Sequence, residues 1–124
     1  MLNVIRTGLD AANQEISVLS HNIANANTTG FKRSNAVFED QYGEVIGLRA
    51  ESYTGNGTKA HAPRQNHNQG ELRSTGGALD MAVIGRGYFM VEKLDEPGGK
   101  LFTRDGAFQL DDNGTITNLS LIHI

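Results

Sequence analysis

The sequence contains no cysteine and no tryptophan, and it contains no long apolar run. Without cysteine, disulfide frameworks, thiolate nucleophiles and thiolate metal sites are excluded. No apolar run approaches the roughly 20 residues of a membrane-spanning helix, so we expect no membrane insertion. The N-terminal residues also lack the continuous apolar stretch of a cleaved secretory signal. Function outside the cytoplasm would therefore need export without a cleaved signal.

Charge of neither sign is concentrated in the sequence. It has 11 Lys and Arg against 14 Asp and Glu, a formal net charge of −3. The basic stripe that nucleic-acid binding requires is missing, as is a polybasic cluster for an anionic membrane. We therefore expect no nucleic-acid partner. The 15 glycines among 124 residues predict many turns and a thin core.

Signals for catalysis or ligand binding are weak. No nucleophile elbow is present. His61 and His67 lack the usual metal-ligand spacings, and their polar stretch offers no carboxylate or cysteine nearby. The short run 85–87 joins two predicted strands instead of opening a helix, which disfavours dinucleotide binding. We therefore predict no catalytic residue, no cofactor and no metal site, and we do not expect an enzyme.

The clearest pattern is an apolar stripe along residues 1–27. Its members are alternately three and four residues apart, the a/d pattern of a helix that packs against other helices. An amphipathic helix lying on its own domain's core has overlapping spacing and remains an alternative. Few apolar residues lie off the stripe, so it is narrow. This predicted assembly seam consists of Leu2, Ile5, Leu9, Ala12, Ile16, Leu19, Ile23 and Ala26.

Asparagines occupy much of the helix surface outside the seam. Each lowers helix stability by ~0.6 kcal/mol relative to alanine, so the helix should be marginal without partners. We expect residues 1–27 to be largely disordered in this chain alone, because no partner for the seam is evident in the sequence. The asparagines concerned are Asn3, Asn13, Asn22, Asn25 and Asn27.

Residues 25–33 predict the end of the helix. Asparagine and glycine tolerate the left-handed conformation that ends helices, so we predict a positive φ angle at Gly30. The polar residues 31–76 predict an extended connecting segment. Within it, Val37, Phe38, Tyr42, Val45 and Ile46 fit a short second helix or an extended strand.

From residue 77 onward, short apolar runs alternate with turn signals, which predicts a small antiparallel β unit. Residues 80–84 and 88–93 flank Gly85-Arg86-Gly87, a hairpin signal. Further predicted turns separate the later strands at 95–99, 105–106 and 111–114. The sequence as a whole predicts an α+β fold: a long N-terminal coiled-coil-type helix, an extended polar segment and a small antiparallel β domain.

Two blocks of the sequence carry motifs of one known family. The first contains Thr7-Gly8-Leu9-Asp10-Ala11, Asn22-Ile23-Ala24-Asn25 and Thr28-Thr29-Gly30-Phe31-Lys32. The second runs from Asn68 to Phe108 and includes Leu79, Asp80, Gly85, Gly87, Phe89, Thr103, Arg104, Gly106 and Phe108. In order and separation, these motifs resemble the bacterial flagellar basal-body rod and hook family over about residues 1–117. The family's C-terminal half has no counterpart here.

The resemblance implies a structural subunit that polymerises helically around a central channel through coiled coils of its terminal helices. It implies self-association, contacts with other rod and hook subunits, and passage through the flagellar type III export apparatus. The location implied is the periplasm-spanning rod of the basal body. Residues 38–40 and 105–108 favour a distal rod subunit, with a proximal rod or hook subunit as alternatives. An alternative from another class is a small-molecule-binding β domain with a helical dimerisation arm.

This interpretation divides the chain into four parts. Residues 1–30 form the axial helix, in which Asn27, Gly30, Phe31 and Lys32 provide the helix stop and a hinge. Residues 31–76 form the extended connecting segment, and 77–118 form an incomplete β-rich domain. Residues 119–124 follow without a turn or cap, and their sequence is the translation of a sequencing-library adapter. We therefore expect 119–124 to be an artefactual tail.

Overall fold

The computed structural model describes residues 1–42, 55–93, 95–119 and 122–123. These ranges contain one helix, α1 (Leu2–Ala24), and seven strands. The strands are β1 (Ser34–Tyr42), β2 (Gly55–Gln65), β3 (Phe89–Lys93), β4 (Lys100–Thr103), β5 (Phe108–Leu110), β6 (Ile116–Asn118) and β7 (Ile122–His123). All strand pairs are antiparallel. The predicted α+β class is confirmed.

The chain divides into two compact units, and each unit consists of two ranges that are not consecutive in sequence. The helical unit comprises residues 1–26 and 32–66, and the β unit comprises 27–31 and 67–124. A short piece of chain next to the helix therefore belongs to the β unit. The boundaries at 30/31 and 76/77, which were drawn from composition, remain a prediction.

Helix α1 ends where the sequence predicts a stop. Its last residue is Ala24, and Asn25 Nδ2 donates to the His21 carbonyl at 3.0 Å. The same carbonyl also accepts the backbone N–H of Asn25 at 3.2 Å, so the side chain and the backbone of Asn25 both close the last turn. The predicted positive φ of Gly30 is confirmed at 73°.

The segment after the helix is extended, and its two strands pair with each other as a hairpin. Strands β1 and β2 pair from Ser34 with Gln65 to Tyr42 with Gly55, with register shifts on the way. Of the two conformations left open for this region, the extended one is found up to Tyr42. Val45 and Ile46 lie outside the described residues. The pairing of β1 with β2 was missed by the sequence analysis.

The β unit contains a sheet with the order β4-β3-β7-β6-β5. The predicted turn at 95–99 lies between β3 and β4, with Gly99 N donating to the Glu96 carbonyl at 3.0 Å. The predicted turn at 111–114 joins β5 to β6, with Gly114 at a φ of 78°. Both turn predictions are confirmed. Strand β7 comes from the segment expected to be an artefactual tail, and that expectation stays a prediction.

The hairpin predicted around Gly85-Arg86-Gly87 is wrong. Residues 80–84 form no strand, and β3 begins only at Phe89. Instead, Asp80 makes an isolated antiparallel bridge with Ala107, and Met81 N donates to the Gly106 carbonyl at 2.9 Å. The backbone of residues 80 and 81 thus pairs with a segment distant in sequence, which a local turn signal does not reveal.

The core of the β unit is thin, as expected from the composition. Val91 and Phe108 have exposed fractions of only 2% and 3%. The ring of Phe89 meets that of Phe108 edge to face, with centroids 5.2 Å apart and an interplanar angle of 88°, a preferred aromatic geometry. A Cβ atom on Gly106 would overlap the Met81 carbonyl, so only glycine permits this close backbone approach.

Candidate functional site

The predicted assembly seam lies along one face of α1 and is exposed. Its large side chains have exposed fractions between 55% at Leu19 and 84% at Leu2. Ala12 is also exposed, as is Ala26 just beyond the helix end. The seam contains no charged residue. An apolar face of this length with this exposure is typical of a protein interaction surface.

The opposite face of α1 packs against the β1–β2 hairpin. Ala11 is buried, with 7% of its surface exposed, and Val18 is half-buried. Each lies two positions beyond a seam residue (Leu9 and Ile16), which is about 200° around a helix of 3.6 residues per turn. The helix therefore has two distinct faces, one used within the chain and one exposed.

Polar side chains of α1 bond directly to the hairpin. Asn22 Nδ2 donates to the Ser34 carbonyl at 2.7 Å, and Ser34 N donates to Asn22 Oδ1 at 3.0 Å. Gln14 Nε2 donates to the His61 carbonyl at 3.2 Å. The Asn22 side chain thus bonds both the N–H and the carbonyl of Ser34, as the backbone of a neighbouring strand would. These bonds fix the start of β1 relative to the helix.

This packing face was not predicted from the sequence. The seam, for which no partner was expected within the chain, is exposed, and the hairpin covers the other face of α1. The disorder expected for residues 1–27 stays a prediction. A signal was present, because Val4, Ala11 and Val18 are each seven residues apart and lie off the seam. Asn22 gave no such signal, since its partner Ser34 is defined only by the fold.

The predicted β-domain motif residues lie together in the β unit. Arg104 Nη2 donates to the Gly85 carbonyl at 2.7 Å, and the Arg104 guanidinium carbon lies 5.2 Å from the Tyr88 ring centroid. This geometry suits a cation–π contact. These contacts tie the irregular chain around Gly85 and Gly87 to the end of β4.

The loop after β4 is shaped by its own side chains. Asp105 N donates to Thr103 Oγ1 at 3.0 Å, and Ala107 N donates to Asp105 Oδ1 at 3.1 Å. Asp80, bridged to Ala107, also accepts a hydrogen bond from Thr75. Leu79 beside it is half-buried. These motif residues therefore contribute to the fold of the β unit.

The predicted helix stop and hinge residues are divided between the two units. Asn27, Gly30 and Phe31 belong to the β unit, and Lys32 belongs to the helical unit. Phe31 N donates to the Thr28 carbonyl at 3.3 Å, which closes a turn. The role of these residues as a hinge stays a prediction.

The histidines make contacts that spacing could not predict. His61 Nε2 lies 2.6 Å from Glu39 Oε2 across the β1–β2 pair, so the expectation of no carboxylate near His61 is wrong. The two side chains are 45% and 54% exposed, and such surface pairs contribute little to stability. His67 Nδ1 lies 3.2 Å from the Tyr88 hydroxyl. Across the described ranges, no group of three or more potential metal ligands is found.

An open cleft of about 410 Å³ lies in the β unit, lined partly by Thr28, Gly30, Val91 and Leu101. Two of its polar side chains, Thr103 and Asp105, already accept backbone hydrogen bonds. These two side chains therefore help to shape the loop after β4. In the part of the chain that the structure describes, no helix is long and apolar enough to cross a membrane.

Two protein families match this sequence. The family described as "Flagella basal body rod protein" matches residues 2–32, the region that holds the seam and the helix stop. The family described as "Flagellar hook protein FlgE/F/G D1 domain" matches residues 82–120, the region that holds β3 to β6 and most of the β-domain motif.

Curated relatives match over nearly the whole chain. The flagellar basal-body rod protein FlgG of Buchnera aphidicola (subsp. Acyrthosiphon pisum) is 38% identical over 94% of this chain and 48% of its own length. FlgG of Agrobacterium fabrum is 35% identical over 95% of this chain and 49% of its own length. The flagellar hook protein FlgE of Caulobacter vibrioides is 36% identical over 90% of this chain and 19% of its own length. The chain therefore spans about half the length of these FlgG relatives.

Proposed function

Since this chain belongs to the flagellar basal-body rod and hook family, we propose that it is part of a structural subunit of the bacterial flagellar rod. In this proposal the subunit polymerises helically, with the seam of α1 packed against the terminal helices of neighbouring subunits. Residues 1–30 contribute the axial helix, and 77–118 contribute an outer β-rich domain. The role is mechanical, in flagellum-dependent motility, and it uses no catalytic group or cofactor.

The main support for the proposal is that one face of α1 is covered within the chain and the other is exposed. The face with Ala11 is already covered by the hairpin, whereas the seam remains exposed. Burying a large aliphatic side chain contributes about 1.5–3 kcal/mol, and the six large seam residues are at least 55% exposed. Covering them in an assembly would contribute on the order of 10 kcal/mol before entropic costs. An exposed seam of that strength supports helix–helix assembly.

The place of the subunit in the flagellum follows from the same family. We propose the basal-body rod as its location, other rod and hook subunits as partners, and the type III apparatus as its export route. Residues 38–40 and 105–108 support the distal rod. A hook subunit is the second candidate, because a hook relative at 36% identity is nearly as similar as the rod relatives.

The test is a charge in the seam of the full-length subunit. Ile16→Asp is compared with Asn13→Asp, which adds the same charge one turn away at an exposed position outside the seam. Each variant replaces the only gene copy in a motile strain, and swarming and purified basal bodies are examined. We expect Ile16→Asp to abolish motility and rod completion, because a buried unpaired charge costs several kcal/mol.

Folding is checked separately on the 124-residue chain. Ile16 is 61% exposed there, so Ile16→Asp should leave its circular dichroism and unfolding midpoint nearly unchanged. Normal motility with Ile16→Asp would overturn the proposed function. Loss of motility with both variants would also contradict the seam, since it would show no preference for that face.

A further inference from the structure

Residues 27–31 are continuous with the helix in sequence but pack as part of the β unit. The chain therefore leaves the helical unit after Ala26, contributes five residues to the β unit, and returns at Lys32. An ordinary linker would make few contacts with either unit. This segment instead meets the loop after β4 directly, and it lines a cleft together with residues of β3 and β4.

The closest of these contacts is at Gly30. Its φ of 73° is in the left-handed region, and a Cβ atom there would overlap the peptide joining Arg104 to Asp105. The two backbones touch directly, with no space for a side chain. Residues in the two motif blocks, more than 70 positions apart in sequence, thus meet at this point.

The neighbours of Gly30 share a cleft with residues of strands β3 and β4. Thr28, Thr29 and Phe31 line the same cleft as Val91 and Leu101. Val91 is the most deeply buried of the large described side chains, at 2% exposure. The turn closed by Phe31 N on the Thr28 carbonyl gives the segment a defined shape.

We propose that residues 27–31 are a docking clip: a segment that must be seated on the loop after β4 for the β unit to reach full stability. This inference concerns the fold of the single chain and does not depend on the proposed assembly.

Gly30→Ala tests the clip, and Gly114→Ala is its matched control. Gly114 has nearly the same φ, 78°, and lies in the same unit, but nothing lies within 4 Å of a Cβ built on it. Both variants carry the same left-handed strain, so the difference between them reports the contact with the Arg104–Asp105 peptide. Amide exchange of Val91 and Phe108 in the 124-residue chain measures the stability of the β unit.

We expect Gly30→Ala to accelerate exchange at Val91 and Phe108 roughly tenfold or more beyond Gly114→Ala, because overpacking displaces the clip. Amides of α1 should change less. Equal acceleration of exchange in the two variants would overturn the proposed role of residues 27–31.

A measurement on the unmodified chain covers the case in which Gly30→Ala does not fold. With rising urea, the Phe31 amide should become exchangeable together with Val91 and Phe108, as one cooperative unit. Exchange of Phe31 together with Ala11 and Val18, or without any protection, would show that the segment belongs to the helical unit or to neither, and would refute the proposal.

Discussion

Replacing Asn22 with alanine should loosen the helix from its hairpin. The Asn22 side chain makes two hydrogen bonds with the backbone of Ser34, at 2.7 and 3.0 Å, and both are partly buried. Alanine removes both hydrogen bonds. The N–H and carbonyl of Ser34 must then bond to water at a partly buried position. The substitution therefore acts on the junction between α1 and β1.

The expected magnitude follows from two opposing terms. Two net hydrogen bonds are worth about 2 kcal/mol, and alanine returns ~0.6 kcal/mol of helix propensity. Asn22→Ala should thus destabilise the helical unit by roughly 1.4 kcal/mol. Asn13→Ala is the control, because Asn13 is exposed on the same helix and should gain the propensity term alone.

Urea unfolding of the 124-residue chain, followed by far-ultraviolet circular dichroism, measures both variants. The two free energies of unfolding should differ by about 2 kcal/mol, with Asn22→Ala the less stable. If the two substitutions changed stability equally, the Asn22–Ser34 bonds would carry no net free energy, and the anchoring of the hairpin would have to lie elsewhere.

Two further substitutions test the β unit. Gly106→Ala should destabilise it by more than about 2 kcal/mol because the added Cβ overlaps a backbone carbonyl. Gly76→Ala is the control and should have little effect, because a Cβ atom there has open space around it. Differential scanning calorimetry compares the stability of the two variants. Phe108→Ala should cost about 3–5 kcal/mol because Phe108 is only 3% exposed. Leu110→Ala, at a position 62% exposed, should change the urea midpoint far less, and similar losses for both would contradict the assigned core.

Local signals in the sequence predicted the local parts of the fold. The period of the apolar residues placed α1, and the run from Asn25 to Gly30 placed its end. Glycine-containing turns located the β3–β4 and β5–β6 hairpins. Each of these features depends on residues close together in the chain, where spacing and backbone preference carry the information.

The features that sequence reasoning missed depend on distant pairing. Strand β1 pairs with β2 across a connection that gave no turn signal, and residue 80 bridges residue 107. Register between such segments is set by the whole fold and not by local composition. The seam is evident as a pattern in the sequence, whereas its exposure depends on the hairpin covering the other face of α1.

The two faces of α1 also differ in the kind of contact they offer. The hairpin side uses small or polar residues such as Ala11, Gln14 and Asn22, with specific hydrogen bonds, whereas the seam presents large aliphatic side chains. Substitutions in one set therefore leave the other largely untouched. In the proposed assembly, sequence drift along the seam would change the angle or identity of a neighbouring subunit while the chain still folds. One helix can thus evolve new assembly geometry without a new fold.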